Sequence, residues 1–239
     1  MKNAIVTGGT KGIGLATVRM LLKEGYHVTV TYSGDSEAAL RCRNELKGIS
    51  SHSEIIKCDQ SNKEDMRRLV ELMKNKGNVD CIVCNAGVSL RRQFTEITDE
   101  EWERAMHINV NSNVFLIRDL YEVIAPSSRI VFIGSMMGVQ PHATSLSYGV
   151  TKAALHALAL NLVKCFEGSG TTVNAIAPGF VETDWHLTKP QQIRENIYAK
   201  TALGRFATPD EVADAVKFCI NNQFVNGSIL EISGGYSFK

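Results

Sequence analysis

Residues 2–25, KNAIVTGGTKGIGLATVRMLLKEG, run from an apolar strand through a glycine-rich turn straight into an amphipathic helix. Gly8, Gly12 and Gly14 let the backbone turn tightly and come close to a large anion. The start of the following helix offers unpaired N–H groups and a positive dipole to the same place. Strand, turn and helix in this order make a cradle for the pyrophosphate of a dinucleotide. The spacing is Gly-x-x-x-Gly-x-Gly rather than the commoner Gly-x-Gly-x-x-Gly, so the context of the glycines, at the end of a strand, carries the reading.

Outward from this unit the chain repeats an alternation of strand and helix. Short apolar runs occupy 27–32, 54–58, 80–84, 129–134, 172–177 and 228–232. Helix starts are marked by Ser61 with Glu64, Thr98 with Glu101, and Thr208 with Glu211 behind Pro209, each a capping box. Helices are expected over 36–46, 98–125 and 147–166. Strands separated by helices of this length predict an α/β fold with a doubly wound parallel sheet of about seven strands, helices on both faces. With no repeat, linker or low-complexity tract, residues 1–239 form a single domain. The longest irregular stretch follows Pro178, and residues 180–199, beyond the C-terminal end of a strand, are the candidate substrate lid.

Composition fits a soluble enzyme. A formal net charge of +1 offers no general basic field for nucleic acid, and no apolar stretch reaches membrane-spanning length. The first strand begins at Lys2 or Asn3, which leaves no room for a signal peptide and predicts a cytosolic protein with its six cysteines reduced. Cys81 and Cys84 fall in an apolar strand, where residues three apart face opposite ways, so they read as core rather than as a metal or redox pair. His107, His142, His156 and His186 show no ligand spacing, and no metal is expected.

Ser135 stands thirteen residues before Tyr148, and Lys152 four after it. On a helix over 147–166 Tyr148 and Lys152 sit one turn apart on a single face. A free phenol has a pKa of about 10, and a neighbouring ammonium lowers it toward the range of a general acid or base. Taken alone, such a pair is more often a half-buried aromatic beside a solvated charge. Behind a dinucleotide cradle it reads as a proton donor.

Together these signals resemble the short-chain dehydrogenase/reductase family over essentially the whole chain. Thr7-Gly8-Gly9-Thr10-Lys11-Gly12-Ile13-Gly14 is similar to the family's cofactor turn, Asp59 to its adenine-contacting acid, and Asn85-Ala86-Gly87 to the motif ending its fourth strand. Asn109, Ser135, Tyr148 and Lys152 resemble its catalytic tetrad, and Pro178-Gly179 its turn beside the nicotinamide, with Val181 and Thr183 following. The resemblance implies that Ser135 hydrogen-bonds the substrate carbonyl and Tyr148 delivers its proton. It further implies that Lys152 lowers the phenol pKa and holds the ribose, and that the backbone of Asn109, in a distorted helix, holds a water of the proton relay.

A 2′-phosphate wants a cation and a 2′-hydroxyl a carboxylate. The second strand ends Tyr32-Ser33-Gly34 without an acid, Asp35 comes late, and Lys11 lies in the glycine turn, so NADP(H) is expected over NAD(H). Arg41 and Arg43 read as solvated. Within the family the phrases Asn85-Ala86-Gly87-Val88 and Ala177-Pro178-Gly179-Phe180-Val181-Glu182-Thr183, with Gly234-Gly235, are most similar to 3-oxoacyl-[acyl-carrier-protein] reductases. Two places where such enzymes carry basic residues for an acidic carrier read VIAPSS at 123–128 and FEGSG at 166–170, which leaves an acyl carrier protein weakly supported as a partner. A free ketone, sugar or steroid is the alternative substrate, and a non-catalytic nucleotide sensor a third reading, disfavoured by the tetrad. Arg91 and Arg92 read either as attractors of an anionic substrate or, preferably, as surface charge. Met136, Met137, Phe180 and Trp185 are candidate pocket walls. Family members usually form tetramers through the helix bearing Tyr148 and the C-terminal strand, and the ending at 234–239 suits burial in a homotetramer.

Overall fold

The structure is a computed structural model and describes residues 1–141, 145–187, 189–236 and 238. His142, within the histidine reading, Thr188 in the lid, and Ser237 and Lys239 of the C-terminal run lie outside the described residues.

Among the described residues seven parallel strands form one sheet in the order β3-β2-β1-β4-β5-β6-β7. They are β1 (Asn3–Val6), β2 (His27–Tyr32), β3 (Ser53–Lys57), β4 (Val79–Cys84), β5 (Ile124–Ile133), β6 (Thr172–Pro178) and β7 (Ile229–Ile232). Between them run α1 (Gly12–Lys23), α2 (Ser36–Lys47), α3 (Lys63–Lys76), α4 (Asp99–Met106), α5 (Ser112–Leu120), α6 (Leu146–Cys165), α7 (Asp184–Leu187), α8 (Gln191–Lys200) and α9 (Pro209–Asn221). Central strands are mostly apolar because both faces are covered. In β1, Ile5 joins the core beneath α3, α5 and α6, with Leu69, Leu116, Phe132 and Leu155. Val6 turns to the opposite core, with Leu21 of α1 and Val216 of α9. Cys81 and Cys84 divide between the same two cores, and burial pushes both thiols up to about 12. Strand order reverses between β1 and β4, which opens a crevice at their C-terminal ends.

Capping boxes at Thr98 and Thr208 start α4 and α9 as expected. Four expectations need correction. The cap of α3 is Asn62, whose side chain accepts from Glu64 and Asp65 N–H groups, while Ser61 turns back to donate to Asp59. The helix expected over 98–125 is interrupted by a π-helical turn at His107–Asn111 and ends at Leu120. The fifth strand begins at Ile124, five residues earlier than read, because 124 pairs with Val79 before a register shift brings Arg129 onto Cys81. Residues 180–199 are largely helical, in α7 and α8, rather than irregular.

Candidate active site

The turns after β1 and β4 lock together across the crevice. Thr7 Oγ1 accepts from the backbone N–H groups of Asn85 and Ala86, each at 3.0 Å, and Asn85 Nδ2 donates to the carbonyls of Thr7 and Gly8 at 2.9 and 2.8 Å. Gly8 takes a left-handed φ of 62°, and a Cβ on Gly14 would lie 2.3 Å from the Gly8 carbonyl. No side chain caps α1, so its first N–H groups open into a cavity of about 350 Å³. Thr10, Lys11, Gly12, Ile13, Tyr32, Ser33, Asp59, Ala86, Gly87, Pro178, Gly179, Val181 and Thr183 all reach its wall. Gly14 and Asn109 support it from behind. A dinucleotide fits this cradle, because it offers backbone donors at a helix start and no side chain to obstruct a pyrophosphate.

At the end near β2 the charges are more balanced than the sequence suggests. Lys11 Nζ lies 3.2 Å from Asp35 and 3.9 Å from Asp184 of α7. Asp35 also caps α2 through the Ala38 N–H, and that bond, followed by Lys11, holds its carboxyl below the usual range. Burial raises the Asp59 carboxyl, but the N–H and hydroxyl of Ser61, both at 2.8 Å, bring it below its ordinary value overall.

At the other end β5 and α6 bring Ser135, Tyr148 and Lys152 to one wall. Lys152 Nζ donates to the Ile133 carbonyl at 2.7 Å and lies 5.4 Å from the centre of the Tyr148 ring. Burial lowers the ammonium to about 8. Burial likewise pushes the Tyr148 phenol up to about 12, while a hydrogen bond with Ser135 pulls the other way. The lowering of the phenol expected from Lys152 is not found: burial dominates, and the Ser135 hydrogen bond alone opposes it. Asn109, fully buried in the π-helical turn, accepts from Val88 N–H at 2.8 Å and donates to the Val88 carbonyl and Thr151 Oγ1, both at 2.9 Å. It thereby fastens the segment after β4 to α6, one residue before Lys152.

His156 was missed as a site residue. One turn beyond Lys152, its Nε2 accepts from the Ser135 backbone N–H at 3.4 Å, and burial followed by the Lys152 charge lowers it to about 4, so it stays neutral and able to accept. The helical spacing of Tyr148, Lys152 and His156 was the available signal. Gln60, Arg104, Asp184 and His186 also line the cavity without having been singled out. Of the expected pocket walls Trp185 is one, its ring 6.1 Å from that of Tyr148. Met136 is buried in the core, and Phe180 packs at 5.4 to 5.7 Å against His186, Phe206 and Tyr236, a cluster that fixes the base of the lid. Met137 does not reach the wall; its backbone N–H holds Ser135 Oγ at 3.1 Å.

The family model described as enoyl-(acyl carrier protein) reductase matches residues 8–237. The 3-oxoacyl-[acyl-carrier-protein] reductase FabG of Rickettsia felis is 31% identical over 98% of this chain and 96% of its own. The short-chain dehydrogenase/reductase SDRA of Arabidopsis thaliana is 34% identical over 98% and 94%. Among solved structures, a short-chain dehydrogenase from Burkholderia cenocepacia in complex with NADP superposes with a TM-score of 0.92 at 26% identity, covering 98% of this chain and 97% of that one.

Proposed function

The chain belongs to the short-chain dehydrogenase/reductase family, and on that premise we propose that it is an NADP(H)-dependent reductase of a 3-oxoacyl thioester. The observation that carries the reaction class is the convergence of Ser135, Tyr148 and Lys152 on one wall of the dinucleotide cradle. NADP(H) over NAD(H) is supported by the absence of an acid at Tyr32-Ser33 and by Lys11 in the glycine turn. Asp35 and Asp184 oppose part of that charge.

Backbone donors from the turn after β1 and the start of α1 would hold the pyrophosphate, Asp59 the adenine end, and Lys152 the ribose beside the nicotinamide. When bound, the nicotinamide supplies the hydride. Ser135 Oγ, aligned by the Met137 N–H and by His156 beneath its own backbone, donates to the substrate carbonyl oxygen. Negative charge growing on that oxygen meets donors already in position. Tyr148, whose raised pKa keeps the phenol protonated at neutral pH, passes its proton to the alkoxide. Lys152, still largely cationic at pH 7, stabilises the tyrosinate left behind.

A free 3-oxoacyl thioester or ketone, rather than one delivered on a carrier protein, is favoured by the two runs 123–128 and 166–170, neither of which holds a lysine or arginine. The test is NADPH oxidation with acetoacetyl-CoA, an acetoacetyl carrier protein, free ketones, sugars and steroids. Turnover of acetoacetyl-CoA is expected; turnover only of free ketones, sugars or steroids would move the substrate out of the acyl class. The protein is further proposed to act in the cytoplasm and as a homotetramer.

A further inference from the structure

The lid meets the catalytic wall through one half-bare aromatic side chain. Trp185 lies in α7, its ring centre 6.1 Å from that of Tyr148 and tilted 59° to it, and both residues line the cavity. Rings at this distance and tilt do not stack face on face, and 47% of Trp185 stays exposed. The segment that carries it is held on both sides. A Cβ on Gly12 would lie 3.1 Å from Thr183 Cγ2, and Asp184 reaches Lys11 at 3.9 Å, so the start of the lid rests on the glycine turn. Beyond Trp185, the His186 N–H donates to the Thr183 carbonyl at 2.7 Å and its carbonyl accepts from Arg194 at 3.2 Å. The His186 ring lies 5.5 Å from the rings of Phe180 and of Phe206.

The same contacts occupy the charges around the indole. Arg194 forks onto Glu182 at 3.0 and 2.6 Å, and Asp184 lies against Lys11. Burial, ahead of any neighbouring charge, lowers the His186 imidazole to about 4 and keeps it neutral. Val88, another wall residue, gives both its N–H and its carbonyl to Asn109 and offers the cavity its side chain. An apolar surface in a fixed position beside the proton donor gains free energy when an apolar group covers it.

We propose that Trp185 is a specificity-determining residue that receives the group attached to the carbonyl carbon, and that this group is apolar, an aryl ring or an alkyl chain of several carbons. The inference rests on the carbonyl-reductase reading and names the substrate class of that same site. With the carbonyl oxygen at Ser135 and Tyr148, a substituent on the lid side of the carbonyl carbon lies against the indole. A larger apolar substituent covers more of it, whereas a methyl group leaves most of it in water.

The test follows NADPH oxidation with two substrate pairs, acetoacetyl-CoA against 3-oxooctanoyl-CoA and butanone against acetophenone, in wild type, Trp185→Ala and Trp185→Phe. The pair turned over faster decides. Wild type is expected to favour the larger member. In Trp185→Ala that preference, as a ratio of kcat/KM values, is expected to fall about tenfold, while Trp185→Phe, which keeps a flat apolar face, retains most of it. A wild type that favours the smaller member, an unchanged ratio in Trp185→Ala, or equal losses in the Ala and Phe variants overturns the subsite and leaves the reductase reading standing. Should no carbonyl compound be turned over, the reductase reading fails, and calorimetric titration of 1-phenylethanol into the NADPH-loaded protein decides the subsite alone. Weaker binding in Trp185→Ala supports it; binding equal in both proteins, or absent from wild type, overturns it.

Discussion

At Tyr148 two effects compete, and their sizes decide the chemistry. Burial carries the phenol up to about 12 and the Lys152 ammonium down to about 8, so near neutrality both hold their protons. A lysine with a depressed pKa is charged below that value and neutral above it. The kcat for reduction is therefore expected to stay level at neutral pH and to fall as pH rises through about 8, with the limb absent from Lys152→Met; a pH–rate profile reads both. His156 acts at one remove, through the Ser135 backbone. His156→Ala is expected to lower kcat about tenfold, equivalent to ~1.4 kcal/mol of barrier, with KM nearly unchanged and NADPH affinity retained. A fall in NADPH affinity equal to the fall in kcat would make the residue merely structural. Ser135, Tyr148 and Lys152 were legible because their spacing is itself a chemical pattern. His156 was not, since its partner lies twenty-one residues back in sequence and only the packing of α6 against the end of β5 joins them. The phenol pKa was misjudged for the same reason: a lysine four residues away is visible in a sequence, whereas the low-dielectric walls are supplied by the fold.

Among elements, those with local causes were read well. Thr98 and Thr208 mark the starts of α4 and α9 because a capping box is complete within four residues. The apolar pattern predicts unbroken helix through His107–Asn111 and only the family resemblance implies a distortion at Asn109, because the cause of the π-helical turn is remote: Asn109 is tied to Val88 and Thr151, partners 21 and 42 residues away. Replacing Asn109 by Ala leaves the Val88 N–H and carbonyl inside the protein without their partner. It is expected to destabilise the fold by about 1–3 kcal/mol, measured as a lower urea midpoint at constant m-value. The lid shows the same contrast. Its place after β6 followed from topology, but its helices did not, since α7 is fixed by aromatic packing of Phe180, His186 and Phe206 rather than by apolar periodicity.

Taken whole, the molecule opens the cavity at the C-terminal ends of strands on either side of the β1/β4 reversal, with α4, α6 and α7 completing its walls, which is why a sequence that announces β1, its turn and α1 already locates the cavity. Ligand that binds only the folded protein must raise its stability. At one hundred times its Kd, NADPH is expected to add ~2.7 kcal/mol, seen as a higher Tm, with NADH giving less at equal concentration. The outer side of α6 carries Leu146, Val150 and Leu160, each about 40% exposed, on a helix whose inner side already buries Leu155 and Ala159. That apolar surplus fits the proposed homotetramer; light scattering is expected to return a tetramer for wild type and a smaller species for Leu160→Asp. A monomeric wild type would remove the proposal.

The proposed reaction turns on one proton. In wild type and Tyr148→Phe, NADPH oxidation on the best carbonyl substrate, measured beside calorimetric NADPH binding, tests it directly. The expected result is unchanged cofactor binding with turnover lower by about 10²–10⁴-fold in the Phe variant. Equal turnover in the two proteins would contradict the assignment of Tyr148 as the donor.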